Sequence, residues 1–145
     1  MPLAGLPDIK VFRDGKPALS LTEIIHRTED VENLEQVYIG LYLLGYVSAL
    51  RDRLQEKYGK VIRLTVHSGL RSQKYNDSLS NSAKNSFHVW KKTPQGLRCA
   101  VDLSTPDLPL DTFYNEVKDF CRGETYIHKG YGFVHMAPCG PDEEF

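Results

Sequence analysis

Two side chains able to bind a divalent metal, His88 and Asp102, lie near the ends of a segment with the pattern of a β-hairpin, SFHVWKKTPQGLRCAVDL. Its centre, Pro94-Gln95-Gly96, joins a residue that presets φ to one that accepts the left-handed conformation, which favours a three-residue loop. That loop pairs Thr93 with Leu97 and places His88 directly opposite Asp102, with Cβ atoms about 4.5–5.5 Å apart. Donors about 2.0–2.2 Å from one zinc ion fit that separation. A two-residue loop would instead put the pair on opposite faces.

The alternation along the segment agrees with this register, because one face is apolar and the other combines polar and aromatic side chains. The apolar set is Phe87, Val89, Cys99, Val101 and Leu103, and the second set is His88, Trp90, Ala100 and Asp102. Cys99 is therefore expected in the core rather than at a metal. A cross-strand hydrogen bond or ion pair between His88 and Asp102 is the alternative to a shared metal.

A third donor is needed, and His135 in the apolar strand pattern GFVHM supplies one. A single histidine in such a strand is more often a core residue with a hydrogen-bond partner, and that alternative stays open. Two histidines and one carboxylate, with an open fourth position, are a common ligand set for catalytic zinc. Zinc in such a site lowers the pKa of bound water toward about 7 and polarises a carbonyl. The sequence thus predicts one zinc ion held by His88, Asp102 and His135.

The composition of the 145-residue chain limits the other function classes: 41% is hydrophobic, 26% is charged and the net charge is -1. These values are typical of one globular domain and predict no partner among nucleic acids or membranes. The first residues lack the basic and apolar runs of a secretory signal, so we expect a soluble protein with no signal peptide. Three cysteines form no paired framework, and thiols are expected.

The elements that must position the donors predict an α+β fold in a single domain, residues 1–145, with helices packed on one side of a small antiparallel sheet. Residues 1–19 carry several Gly and Pro and are expected to form an extended arm, with one strand at Ile9–Arg13. The remaining predicted elements are a short helix at Leu21–His26, a long helix at Val31–Tyr58 ended by Gly59, a strand at Val61–His67, a surface loop at Ser68–Ser86, a helix after Asp111 and a strand at Tyr131–Met136.

Four stretches together resemble a known family: LRDRLQEKYGKVIRLTVHSGLRSQKYN, SAKNSFHVW, AVDL and GFVHM, between about residues 34 and 137. They are similar to the zinc D-alanyl-D-alanine carboxypeptidases of peptidase family M fifteen, which share their fold with the hedgehog signalling domain and some phage endolysins. The resemblance implies that fold and assigns the zinc ligands to His88, Asp102 and His135. It also implies a bacterial or phage origin and action on the cell wall.

The resemblance assigns roles to two further residues. Arg71, in the Ser-Gly-x-Arg element, would face the scissile carbonyl, where a guanidinium can stabilise developing negative charge. Ser86 would lie near the substrate. Trp90, in the hairpin that is longer here than in the family, is expected in the cleft wall as a second substrate-binding residue. As alternatives, Arg71 is a solvent-exposed loop arginine and Ser86 a turn hydroxyl.

The chain departs from the family pattern in two places. The spacing between His88 and Asp102 is longer than usual, and Arg98 stands where a glycine is expected. The family also places a proton-carrying residue just before the last zinc histidine, or an Asp two residues after it. Here those positions hold Gly132 and Phe133 before it, and Ala137 after it.

A general base must therefore come from elsewhere. We favour His128 as a catalytic residue, because histidine has an ordinary pKa suited to proton transfer at neutral pH. A surface histidine is the alternative, and the other nearby candidates are Glu124 and the acidic stretch 142–144. We expect His67 at the rim of the cleft or on the surface, with a place in the cleft near Arg71 as the alternative.

The leading hypothesis is a monomeric zinc metallopeptidase that hydrolyses D-amino-acid-containing peptides of bacterial peptidoglycan, with the stem peptide as substrate. A zinc-binding module of the same fold without turnover, used for structure or protein recognition, is the alternative. A metal-free structural protein is the third.

Overall fold

The computed structural model describes residues 10–13, 16–25, 34–70, 91–93, 96–121, 123–128 and 131–139. These residues form an α+β structure with a small antiparallel sheet. The strands of the structure are β1 Lys10–Arg13, β2 Lys16–Ser20, β3 Thr65–Ser68, β4 Lys91–Thr93, β5 Gly96–Ser104, β6 Glu124–His128 and β7 Phe133–Cys139. Strands β1 and β2 form a separate two-stranded sheet. The helices are α1 Leu21–Ile24, α2 Leu34–Tyr58 and α3 Leu110–Phe120.

The main sheet has the order β3-β5-β7-β6, with every neighbouring pair antiparallel, and β4 pairs with β5 beyond this path. One face of the sheet is apolar and packs against α2 and α3. The strand residues that are fully buried there are Cys99, Val101, Leu103, Val134 and Met136. Cys99 is thus a core thiol, as its place in the alternation predicts.

The N-terminal segment forms more structure than the expected arm. Strand β1 agrees with the strand expected at Ile9–Arg13, and it pairs with β2, which was not predicted, as an antiparallel hairpin. Ser20 then precedes α1, and its hydroxyl donates to the Glu23 carboxylate at 3.1 Å instead of capping the helix backbone. The helix has four residues and ends before the predicted boundary at His26.

Helix α2 confirms the long helix that the apolar spacing predicts, although its described part begins three residues later. It ends where Gly59 takes a φ of 63° and donates its N–H to Gln55 O at 2.9 Å. Apolar side chains along one face are buried against the sheet. Among the described residues, no helix combines the length and apolar character that a bilayer crossing requires.

Strand β3 begins later than the alternation predicts, because side chains form hydrogen bonds with the backbone groups that a longer strand would use for pairing. The Ile62 N–H donates to Gln55 Oε1 at 3.1 Å, and its carbonyl accepts from Arg51 Nε at 2.9 Å. The Arg63 N–H donates to Asp107 Oδ2 at 2.7 Å. Residues 61–64 therefore run beside α2 and the β5–α3 connection without pairing in the sheet.

The Asp107 carboxylate gives a pH-dependent contact beside this segment. Three donors of Arg63 converge on it, and its pKa is lowered by these hydrogen bonds from 3.8 to about 2. Because the folded pKa lies below the unfolded one, the stabilisation is present above pH 3.8 and is lost as the pH falls through about 2. A ¹³C titration of the carboxyl group should give the low midpoint, and Arg63→Met should return it toward 3.8. A wild-type midpoint near 3.8 would contradict the contact.

Candidate metal centre

Asp102 and His135 form a buried pair at the centre of the sheet. They are direct partners in the β5–β7 register, and His135 Nδ1 lies 3.0 Å from Asp102 Oδ1. Both residues are removed from water, with Asp102 5% and His135 2% exposed. A buried carboxylate is costly unless a donor or a cation satisfies it. The structure thus brings together two of the three predicted zinc ligands.

The pair lies within a row of residues that crosses all four strands. Asp102 also pairs with Ser68 on β3, and His135 also pairs with Tyr126 on β6. The Tyr126 ring stacks on the His135 imidazole with centroids 4.3 Å apart and planes inclined by 13°. Neither Tyr126 nor strand β6 was predicted from the sequence.

A second row lies beside the first on the same face. Ser104 and Phe133 are each two positions from a member of the pair, and side chains two positions apart share a face. The His67 ring stacks on Phe133 at 4.9 Å and 21°, and its Nε2 lies 2.7 Å from Ser104 Oγ. The His67 side chain is exposed. Tyr131 extends this row, with its ring centroid 5.7 Å from that of Phe133.

The predicted register of the β4–β5 hairpin is wrong. Thr93 pairs with Gly96 and Lys92 pairs with Leu97, so only two residues separate the paired ends. Gly96 belongs to β5 and not to the loop that we expected it to close. If this register continued along both strands, residue 88 would not be the partner of Asp102. The hairpin register therefore does not support a shared metal for His88 and Asp102.

Four of the predicted site residues, His88, Arg71, Ser86 and Trp90, lie outside the described residues. His88 precedes the first residue of β4 by three positions, and β4 pairs with the strand that carries Asp102. The assignment of His88 as a metal ligand therefore depends on the motif resemblance and on its closeness to β4 in the sequence.

The distance within the Asp102–His135 pair tests whether a metal fits. Two donors about 2.0–2.2 Å from a tetrahedral zinc ion stand about 3.3–3.6 Å apart. The observed separation of 3.0 Å between Nδ1 and Oδ1 is a hydrogen-bond distance. To bind zinc, the two atoms would have to move apart by a few tenths of an ångström. Within the parts of the chain that the structure describes, no group of three or more His, Cys, Asp and Glu residues could hold a metal. The donor types are ones that zinc accepts, and a third ligand would have to come from residues beyond these parts.

The segment leading to Arg71 is held tightly against α1. Leu70 donates its N–H to Ile24 O at 2.6 Å and forms a parallel bridge with Ile25. Gly69 permits this approach, because a Cβ there would lie 1.9 Å from Ile24 O. Ser68, one residue earlier, is the register partner of Asp102. The Ser-Gly-x-Arg element thus begins at the candidate centre and is fixed at its glycine.

Gly69→Ala should destabilise the fold by about 1–3 kcal/mol or more, since the contact atom belongs to the backbone and cannot rotate away. Urea unfolding at equilibrium measures the change. Gly45→Ala is the matched control, because that glycine lies in α2 with no atom within 4 Å of an added Cβ. It should stabilise by about 0.5–1 kcal/mol through helix propensity. An unchanged midpoint for Gly69→Ala would contradict the close approach.

His128, the predicted base, is the last residue of β6 and is paired with Phe133. Glu124, the other upstream candidate, is the first residue of that strand and is paired with Ala137. Both candidates thus lie on the strand beside His135. The alternation in ETYIH, with Ile127 half-buried toward the core and Tyr126 exposed, is the signal that could have predicted this strand.

No protein-family model, curated protein or solved structure matches this chain.

Proposed function

We propose that this chain is a zinc-dependent peptidase with a hedgehog/DD-peptidase-like fold, acting on D-amino-acid-containing peptides of the bacterial cell wall. The single observation that carries the proposal is the buried Asp102–His135 pair at adjacent strand positions. Asp102 was predicted as a ligand from the hairpin pattern and the motifs, and His135 mostly from the motifs and its context, and the two residues are far apart in the chain. His88 would complete the ligand set.

Zinc in this centre would polarise the scissile carbonyl and make water a stronger nucleophile at neutral pH. The surrounding residues would stabilise the oxyanion, transfer the proton and contact the substrate. Arg71 would donate hydrogen bonds to the carbonyl oxygen as negative charge develops. His128 would accept a proton from the attacking water and return it to the leaving amine nitrogen. Ser86 and Trp90 would contact the stem peptide.

Two features of the described residues support a site at this position. The pair lies on the sheet face opposite the apolar core, and the neighbouring row presents the exposed side chains of His67 and Tyr131. A peptide crossing that face would meet aromatic rings beside a polar centre. Binding sites commonly combine aromatic walls with a few convergent polar groups.

The direct test incubates the zinc-loaded protein with purified muropeptides and follows the products by mass spectrometry. We expect release of a D-amino acid or a shorter stem peptide, and no release by Asp102→Asn assayed in parallel. A fully zinc-loaded protein that cleaves no muropeptide would refute the peptidase.

A second candidate function is a zinc-binding module of the same fold without turnover. The observation that favours it is the chemistry beside His135 on the site face, where Phe133 and Ala137 carry no transferable proton. Full zinc occupancy, no cleavage and retained binding of an unhydrolysed stem peptide would establish this function in place of the first.

A further inference from the structure

The Tyr126 side chain covers the His135 ring from the edge of the sheet. Its ring lies nearly parallel to the imidazole, 4.3 Å away, and is 40% exposed, whereas His135 is 2% exposed. We propose that Tyr126 is a positioning residue of the metal centre, which holds the His135 ring in the plane from which Nδ1 faces Asp102. This inference rests on the proposed zinc site and extends it to a residue outside the ligand set.

The backbone holds Tyr126 in this place. All five residues of β6 pair with β7, and Tyr126 is the direct partner of His135. The turn into β6 is also close-packed, because a Cβ on Gly123 would lie 2.0 Å from Ala137 O. The phenol ring is therefore fixed over the imidazole from its own strand.

The imidazole is constrained in two independent directions. Asp102 Oδ1 contacts the ring edge through Nδ1, which fixes where the nitrogen lies along the strand direction. Tyr126 contacts the ring face, which fixes the tilt of the plane. A metal ligand needs both, because a nitrogen lone pair lies in the ring plane and must aim at the ion.

The stack also favours the metal-bound state over the metal-free one. A cation on Nδ1 draws electron density from the imidazole, and the face of a phenol ring is electron-rich. The attraction between the two rings therefore increases when the metal binds. Tyr126 thus stabilises the loaded centre more than the empty one, which makes its contribution visible as metal affinity.

Zinc affinity measured by competition with a chromophoric chelator tests the proposal, with Tyr126→Leu, Tyr126→Ile and Tyr126→Phe. We expect the two aliphatic variants to bind zinc about 10–100-fold more weakly, the usual loss when a residue supporting a metal ligand is removed. Tyr126→Phe keeps the ring and should keep the affinity. Isoleucine favours strand structure, so it gives a second aliphatic variant if leucine disturbs folding. Tyr38→Leu, which removes an exposed tyrosine from α2, is the control and should bind zinc as wild type does.

The absorption spectrum of the cobalt-substituted protein separates positioning from general stability. We expect the visible bands of tetrahedral cobalt to shift or weaken in the aliphatic variants and to persist in Tyr126→Phe. Wild-type affinity and spectrum in both aliphatic variants would overturn the role of Tyr126 alone. A wild-type protein that binds neither metal would overturn the proposed centre, and this inference with it.

Discussion

Asp102→Asn will lower zinc affinity by more than about 100-fold and remove peptide hydrolysis with it, since loss of a merely supporting residue already costs about 10–100-fold. Asparagine keeps the size of the side chain and can still accept a hydrogen bond at the position of Oδ1. It lacks the negative charge that binds the cation. The change therefore separates metal binding from packing.

His135→Ala should have the same effect on zinc, with an added loss of stability. The residue is 2% exposed, and alanine leaves a cavity between Asp102 and Tyr126. For that reason Asp102→Asn is the cleaner variant. Zinc per chain after dialysis, measured by elemental analysis, and affinity by chelator competition give the result.

The control for both variants is Asp111→Asn, which changes an exposed carboxylate at the beginning of α3. It should keep wild-type zinc content and activity. If Asp102→Asn retained wild-type zinc affinity, the buried pair would be a structural hydrogen bond, and the zinc would belong to another site.

Arg71→Ala should lower kcat by about 10²–10³-fold while leaving zinc content unchanged, the usual cost of removing one oxyanion donor. The physical reason is that the guanidinium is needed when charge develops on the carbonyl oxygen, and it plays no part in holding the metal. Its place in the chain supports this role. Arg71 directly follows Leu70, which is hydrogen-bonded to Ile24, and lies three residues after the partner of Asp102.

Steady-state hydrolysis of a muropeptide, with zinc content measured on the same samples, distinguishes the outcomes. Arg71→Lys keeps the charge but loses the planar fork, so an intermediate rate is expected. Arg53→Ala, which removes an exposed arginine from α2, serves as the matched control. Wild-type kcat in Arg71→Ala would exclude this residue from the reaction, and zinc loss in that variant would give it a structural role.

The sequence predicts the elements that depend on local patterns. Helix α2 follows from apolar residues at helical spacing and from Gly59, whose positive φ ends it. The beginning of β3 could not be predicted in the same way. It depends on the side chains of Gln55 and Asp107, which come from α2 and from the connection before α3 and take the backbone groups of residues 62 and 63.

The candidate centre was only partly accessible to such reasoning. The predicted β4–β5 register was wrong because Pro94-Gln95-Gly96 is compatible with loops of two or three residues. Which loop length forms depends on the pairing along the two strands. The meeting of Asp102 and His135 depends on the long-range β5–β7 register, which no local pattern encodes. Their assignment as ligands depended on the hairpin pattern and the short motifs. Neither of these predicts that Tyr126 stacks on His135.

Anomalous diffraction at the zinc edge, from crystals grown with zinc, tests the central claim most directly. We predict one zinc peak about 2.0–2.2 Å from Asp102 Oδ1 and His135 Nδ1, with these atoms moved apart to about 3.3–3.6 Å and with His88 as the third ligand. A peak elsewhere, or none, with Nδ1 and Oδ1 still 3.0 Å apart in a direct hydrogen bond, would contradict the account.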